Sequence, residues 1–181
     1  MMGFLTILAS LLMLPVLAEA WRRPMTRARQ AKAPGDIAQL PQGPTHYRWA
    51  GREGDPVVVC IHGISTPSFI FAATERSLVA LGFRVLSYDL YGRGYSARVR
   101  GTQDIGFFRA QLEALLADQK VTGPVTLLGF SMGGQICAAF AARDDRVKRL
   151  ILVAPSGLIE GGGPGRLWTA PVLGDWMTRV Y

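Results

Sequence analysis

Histidine and cysteine are the scarcest reactive residues of this chain, with two of each in 181 residues. Two cysteines cannot frame a disulfide-stapled domain. Cys60 and Cys137 each lie in an apolar stretch and read as small buried residues, so no disulfide is expected between them. No Cys/His cluster has metal-ligand spacing, so neither metal nor cofactor is expected. A phosphate-cradling loop needs a lysine before serine or threonine, and Gly161-Gly162-Gly163-Pro164-Gly165 lacks it; a flexible hinge is expected there. The six methionines form no stripe. No histidine follows His62, which limits where a general base can come from.

Acidic residues are also few, 13 against 20 basic ones, giving a net charge of +7. Such a surplus suits nucleic acid, yet the sequence has neither a recognition helix nor a basic face interleaved with aromatics, so no nucleic-acid partner is expected. Arg22, Arg23, Arg27, Arg29 and Lys32 instead lie just beyond an apolar segment, where anionic lipid headgroups account for them.

That segment, Met1 to Ala18, carries no charge at all. Eighteen helical residues reach about 27 Å, close to the hydrocarbon thickness of a bilayer. A single-pass anchor is expected over 1–20, with the rest of the chain cytoplasmic because the basic residues resist export. A cleaved signal peptide with Ala18-Glu19-Ala20 as its cleavage site is the alternative, leaving the rest exported, but it wants positive charge before the apolar run. Pro15 is expected to kink or end the helix. Residues 21–44 then read as a basic juxtamembrane segment and a linker, with Pro34, Gly35, Pro41, Gly43 and Pro44 marking 33–44.

From residue 45 onward, strand and helix signals alternate. His46-Tyr47-Arg48-Trp49 reads as a first strand, Val57 to Ile61 as an apolar one, and Arg84 to Asp89 as another. Val125 to Leu128 is a fourth, and Val147 to Pro155 a buried fifth. Helices are expected over Ser68 to Leu81, with Phe71, Leu78 and Leu81 inward, and over Asp104 to Lys120, with Ile105, Phe108, Leu112, Leu115 and Leu116 inward. A third runs from Gln135 to Ala142, with Ile136, Ala139 and Phe140 on one face. The order implies an α/β fold with a doubly wound, mostly parallel sheet and a site at the strands' carboxyl ends.

The most specific stretch is Gly129-Phe130-Ser131-Met132-Gly133, which turns a strand sharply into a helix. Such a turn excludes side chains at its flanks and lifts the serine hydroxyl clear of the sheet, near the positive end of the next helix. His62-Gly63-Ile64 comes directly after an apolar strand and can present the Ile64 N–H toward that serine.

Three ordered motifs, His62-Gly63, Asp89-Leu90-Tyr91-Gly92-Arg93-Gly94-Tyr95-Ser96 and Gly129-Phe130-Ser131-Met132-Gly133-Gly134, make the chain resemble the α/β-hydrolase superfamily. The resemblance covers roughly residues 45 to 158 and points to the branch of monoacylglycerol-lipase-like esterases and carbon–carbon bond hydrolases. It implies Ser131 as nucleophile, an oxyanion hole from the N–H groups of Ile64 and Met132, and His62, Gly63, Asp89, Gly129 and Gly133 as structural supports. Residues 45–158 would be the amino-terminal part of the hydrolase core and 159–181 the start of a helical cap.

In that family the acid and the histidine come after the serine. Here the acids beyond Ser131 are Asp144 and Asp145, in a charged turn, Glu160, where some relatives place theirs, and Asp175. His46 reads as a strand or surface residue and His62 as a loop support. The expected protein is therefore an incomplete serine hydrolase of carboxylic esters, lipid esters being one option. It is truncated before its last strands and nearly inert by itself, since losing the base costs about a million-fold. The edge strand around Leu150 should then be exposed and the chain poorly soluble. The alternatives are a carbon–carbon bond hydrolase and a non-catalytic binding or scaffold domain.

Overall fold

The computed structural model describes residues 2–21, 24–99 and 102–157. The chain divides into two compact units, and the larger, Met25–Ile159, holds a six-stranded sheet. Its strands are β1 (Asp36–Leu40), β2 (Gly43–Ala50), β3 (Val57–Ile61), β4 (Arg84–Tyr88), β5 (Val125–Phe130) and β6 (Val147–Val153). They lie in the order β1-β2-β4-β3-β5-β6. β1 and β2 form an antiparallel hairpin and β2 runs antiparallel to β4, while β4, β3, β5 and β6 are parallel. The mixed, mostly parallel sheet is the one expected.

A 3-10 turn (Ser68–Phe71) leads into α3 (Ala72–Ala80), which packs on one face over Val58, Cys60, Val85 and Leu128. The helices α4 (Ile105–Asp118) and α5 (Met132–Ala141) cover the other, where Phe108, Leu112, Leu115, Leu116, Ile136 and Phe140 are buried with Val59, Ile61, Leu86 and Leu127. Asp104 caps α4 by accepting the Phe107 N–H, a contact worth about 1 kcal/mol. Because β3 connects over one face and β5 over the other, their carboxyl ends flank a crevice, the switch point of the winding.

Several expectations change. The linker read over 33–44 contains β1, because Pro41 and Gly43 belong to a hairpin turn between two strands, Leu40 pairing with Gly43. Leu81 is 72 % exposed; the helix ends at Ala80 and Leu81 already belongs to its cap. α5 begins at Met132, three residues earlier than read, directly on the serine. β6 forms at the end of the sheet order with Leu150, Ile151, Leu152 and Val153 all exposed, as expected of that edge and against the reading of a buried strand. Cys60 and Cys137 are buried free thiols, and burial pushes Cys60 up to about 12.

In the other unit, α1 (Met2–Trp21) covers the apolar amino-terminal stretch and continues through Pro15, which removes one hydrogen bond without ending it. Among the described residues no helix is long and apolar enough to cross a membrane. Within the basic segment, the larger unit begins with a short helix, α2 (Arg27–Gln30), capped by Thr26. The expected cap, with Glu160, Asp175 and the glycine hinge, lies outside the described residues.

Candidate active site

Ser131 stands between β5 and α5 with φ 53° and ψ −119°, a conformation that non-glycine residues rarely hold. Such a residue costs about 1–3 kcal/mol of strain and persists only where its surroundings impose it. The surroundings here are backbone. A Cβ on Gly133 would stand 2.0 Å from the Ile61 carbonyl oxygen, and one on Gly129 would stand 2.5 Å from that of Gly133. Strand and helix thus approach so closely that only glycine fits on either side of the serine. The Ser131 N–H donates to Val153 O across the sheet, and its carbonyl accepts from Gly134 and Ser156. Its side chain is half-buried, and its hydroxyl makes no hydrogen bond among the described residues.

The loop after β3 passes against this turn: a Cβ on Gly63 would lie 3.1 Å from the Ser131 Cβ. His62 sets its course. The Leu90 N–H can only donate, so the His62 Nε2 at 2.9 Å accepts, and the ring proton sits on Nδ1, 2.7 Å from the Gly63 carbonyl. Burial holds this imidazole below its ordinary pKa, against the opposing pull of the Gly63 carbonyl and Asp89. With the Gly63 carbonyl held, the planar peptide directs the Ile64 N–H to the opposite side. Neither that N–H nor the Met132 N–H, the first of α5, meets an acceptor among the described residues. Both are available to an anion.

Asp89 anchors the second loop. Its Oδ1 accepts the Ser68 N–H and its Oδ2 accepts from Tyr95 N–H and from His46 Nδ1, all within 2.9 Å. His46 Nε2 lies 2.8 Å from the Pro34 carbonyl. Both ring nitrogens therefore face acceptors, which requires the imidazolium. Burial opposes that charge, but the bonds to Asp89 and Pro34 outweigh it and raise the His46 pKa. Burial likewise opposes the Asp89 carboxylate, and its hydrogen bonds from His46, Ser68 and Tyr95 still bring it down to about 2. His46 is thus no surface residue: it is 2 % exposed. Nothing local in the sequence shows this, because its partner lies 43 residues away. The one hint is Asp89 itself, an acid ending an apolar strand and in need of a counter-charge.

The structure brings Ser131, Gly63, Gly129 and Gly133 together at the crevice, with His62 bridging to the Asp89 loop. Among the described residues no histidine is free to serve as base, since His46 and His62 each have both ring nitrogens engaged. Asp144 lies before β6, at the amino end of the parallel strands and away from Ser131, and pairs with Arg146 at 2.6 Å. Among the described residues no group of acids, histidines and cysteines is placed to hold a metal.

A family profile for the alpha/beta hydrolase fold matches residues 56–176. The 2-hydroxy-6-oxononadienedioate/2-hydroxy-6-oxononatrienedioate hydrolase of Escherichia coli K12 is 32% identical over 124 residues, 66% of this chain and 40% of that protein. The chain therefore spans well under half the length of this curated relative. An esterase from Exiguobacterium antarcticum superposes with a TM-score of 0.63 at 25% identity, over 68% of this chain and 46% of its own. The enol-lactonase of Burkholderia xenovorans does so with a TM-score of 0.58 at 29% identity, over 64% and 45%. Profile, relatives and topology agree, and the chain belongs to the alpha/beta hydrolase fold family.

Proposed function

We propose that this chain carries the nucleophile and oxyanion-binding part of a serine hydrolase acting on carboxylic esters. The Ser131 Oγ attacks the substrate carbonyl carbon while its proton passes to a base. The N–H groups of Ile64 and Met132 receive the oxyanion of the tetrahedral intermediate, at the positive end of α5. Collapse expels the alcohol and leaves an acyl-serine, which water hydrolyses. The observation that supports this reading is the strained Ser131, its hydroxyl without a partner among the described residues, held between two glycines that backbone contacts require.

Because neither histidine is free to act as the base, the 181-residue chain alone is expected to be nearly inert, and the reading concerns a protein in which a base is supplied. The test is labelling by a fluorophosphonate together with p-nitrophenyl acetate turnover, in this chain and in any longer natural form. Labelling of the longer form that disappears in Ser131→Ala supports the enzyme. Labelling that survives the substitution rejects Ser131. A longer form that carries a base yet shows neither labelling nor turnover favours a non-catalytic binding domain.

A second reading has support in the Escherichia coli relative, whose name specifies hydrolysis of 2-hydroxy-6-oxononadienedioate and 2-hydroxy-6-oxononatrienedioate. The same serine site would then assist cleavage of a carbon–carbon bond beside a ketone. Comparing turnover of those compounds with simple esters separates the two. The apolar α1 and the basic residues after it support attachment to a bilayer, and with it lipid esters as substrates. Resistance of the protein to extraction from membranes by alkaline carbonate tests that attachment.

A further inference from the structure

The geometry points to Arg93 as a positioning residue that holds the proposed oxyanion loop in register with Ser131. The assignment rests on the reading of Ser131 as nucleophile. Arg93 lies between Gly92 and Gly94, both at positive φ, in the loop after β4. Its side chain reaches across to the loop after β3: Nε donates to the Ile64 carbonyl at 3.1 Å, and Nη1 donates to the Tyr91 carbonyl at 2.9 Å and to Gln103 Oε1 at 2.8 Å. The guanidinium carbon sits 5.3 Å from the centre of the Phe108 ring, on α4.

These contacts complete a clamp of which His62 is the other jaw. The two peptide planes that flank the Ile64 Cα are each held by their carbonyl: His62 takes the Gly63 oxygen and Arg93 takes the Ile64 oxygen. His62 sets the plane that carries the Ile64 N–H, and Arg93 sets the next plane, so the chain leaving Ile64 cannot draw that N–H out of position. Ile64 itself has little packing to do this, being 61 % exposed. Without Arg93 the exposed chain leaving Ile64 is free to shift and carry the Ile64 backbone with it, and a donor displaced by a fraction of an ångström loses most of its value to a developing charge. Arginine suits the task because two separate nitrogens of its rigid planar fork serve carbonyls in two loops, Ile64 through Nε and Tyr91 through Nη1, whereas an ammonium offers one nitrogen on a flexible stem. Among the described residues no carboxylate lies within ion-pair distance of Arg93, so its guanidinium is left to the carbonyls and to Gln103.

The experiment compares wild type, Ser131→Ala, Arg93→Ala and Arg93→Lys in a longer natural form, reading kcat and KM for p-nitrophenyl acetate and the thermal midpoint. Arg93→Ala should lower kcat about 10- to 100-fold with KM changed less than about 2-fold. Guanidinium chloride at a few millimolar should restore part of that kcat, and Arg93→Lys should lie between alanine and wild type. A merely structural role would move the thermal midpoint and give no rescue. The assignment is overturned by a kcat in Arg93→Ala within 2-fold of wild type, by a loss confined to KM, or by no rescue. Should the alanine variant not fold, a lysine variant as fast as wild type overturns it and a slower one sustains it. Wild-type turnover untouched by Ser131→Ala instead defeats the nucleophile reading, and this assignment with it.

Discussion

Asp89, His46 and Ser96 form a serine–histidine–carboxylate set whose side chains are all hydrogen-bonded, whereas Ser131, just beyond the end of β5, holds its hydroxyl without a partner among the described residues. In the first set Ser96 Oγ accepts the His46 backbone N–H at 3.0 Å and donates to the Asp89 carbonyl at 2.6 Å. Ser96 is 1 % exposed, and every side-chain polar atom of the trio has a hydrogen-bond partner. In the second region the backbone is strained, two N–H groups are unengaged and a hydroxyl is free. Residue types suited to nucleophilic catalysis therefore build a structural knot in one place and a candidate reaction centre in the other. What separates them is unused hydrogen-bonding capacity, because a buried hydroxyl whose proton is already given to one partner and which accepts from another has no free proton to pass to a base.

The contrast breaks most sharply on Ser131→Ala. Fluorophosphonate labelling of an active form should fall to background, about a million-fold in turnover, while the thermal midpoint holds or rises. Asp89→Asn should do the reverse. It strands the His46 imidazolium in the interior, at about 3–5 kcal/mol of stability by urea denaturation; a loss under about 1 kcal/mol would contradict the ion pair. Gly133→Ala strikes the backbone that strains the serine. Its Cβ meets the carbonyl oxygens of Ile61 and His62, at 2.0 and 2.7 Å, and about 3 kcal/mol should be lost together with any labelling.

Smaller effects sharpen the comparison. The folded His46 pKa is raised above 6.5, so its contribution is complete below 6.5 and disappears as pH rises through the folded value. Asp89 is lowered from 3.8 to about 2, so its contribution is complete above 3.8 and disappears as pH falls through about 2. His62 acts with the opposite sign to His46, weakening the fold as pH drops below 6.5. The difference in urea stability between wild type and His46→Gln isolates the pair: it should be widest between about pH 4 and 6.5 and narrow on either side. A difference that grows above about pH 7 would rule out the imidazolium. Last, Ser131→Gly should relieve the left-handed backbone and stabilise the chain by about 1 kcal/mol, where the same change at Ser96 should destabilise it.

Legibility in the sequence tracks the range of the interaction. The turn at Ser131 is readable because its glycines are neighbours in the chain, as are the buried faces of α4 and α5, set by a local period. β1 is not, because Pro41 and Gly43 serve linkers and hairpin turns alike, and only pairing with Thr45, His46 and Tyr47 distinguishes them. For β6, composition fixes the apolar character but not what covers it, so burial does not follow. The His46–Asp89 pair and the Arg93 clamp escape a sequence reading altogether, since each joins loops or strands that are distant in the chain and carries no periodic signal.

By itself the sequence determined the alternation of strands and helices, the glycine-flanked serine and the shortage of histidine, because these depend on backbone sterics and composition within a few residues. Only the tertiary structure decided which polar groups are spent and which are left free. That depends on strands β3, β4 and β5 lying side by side, so that the loops leaving them meet and compete for the same donors and acceptors.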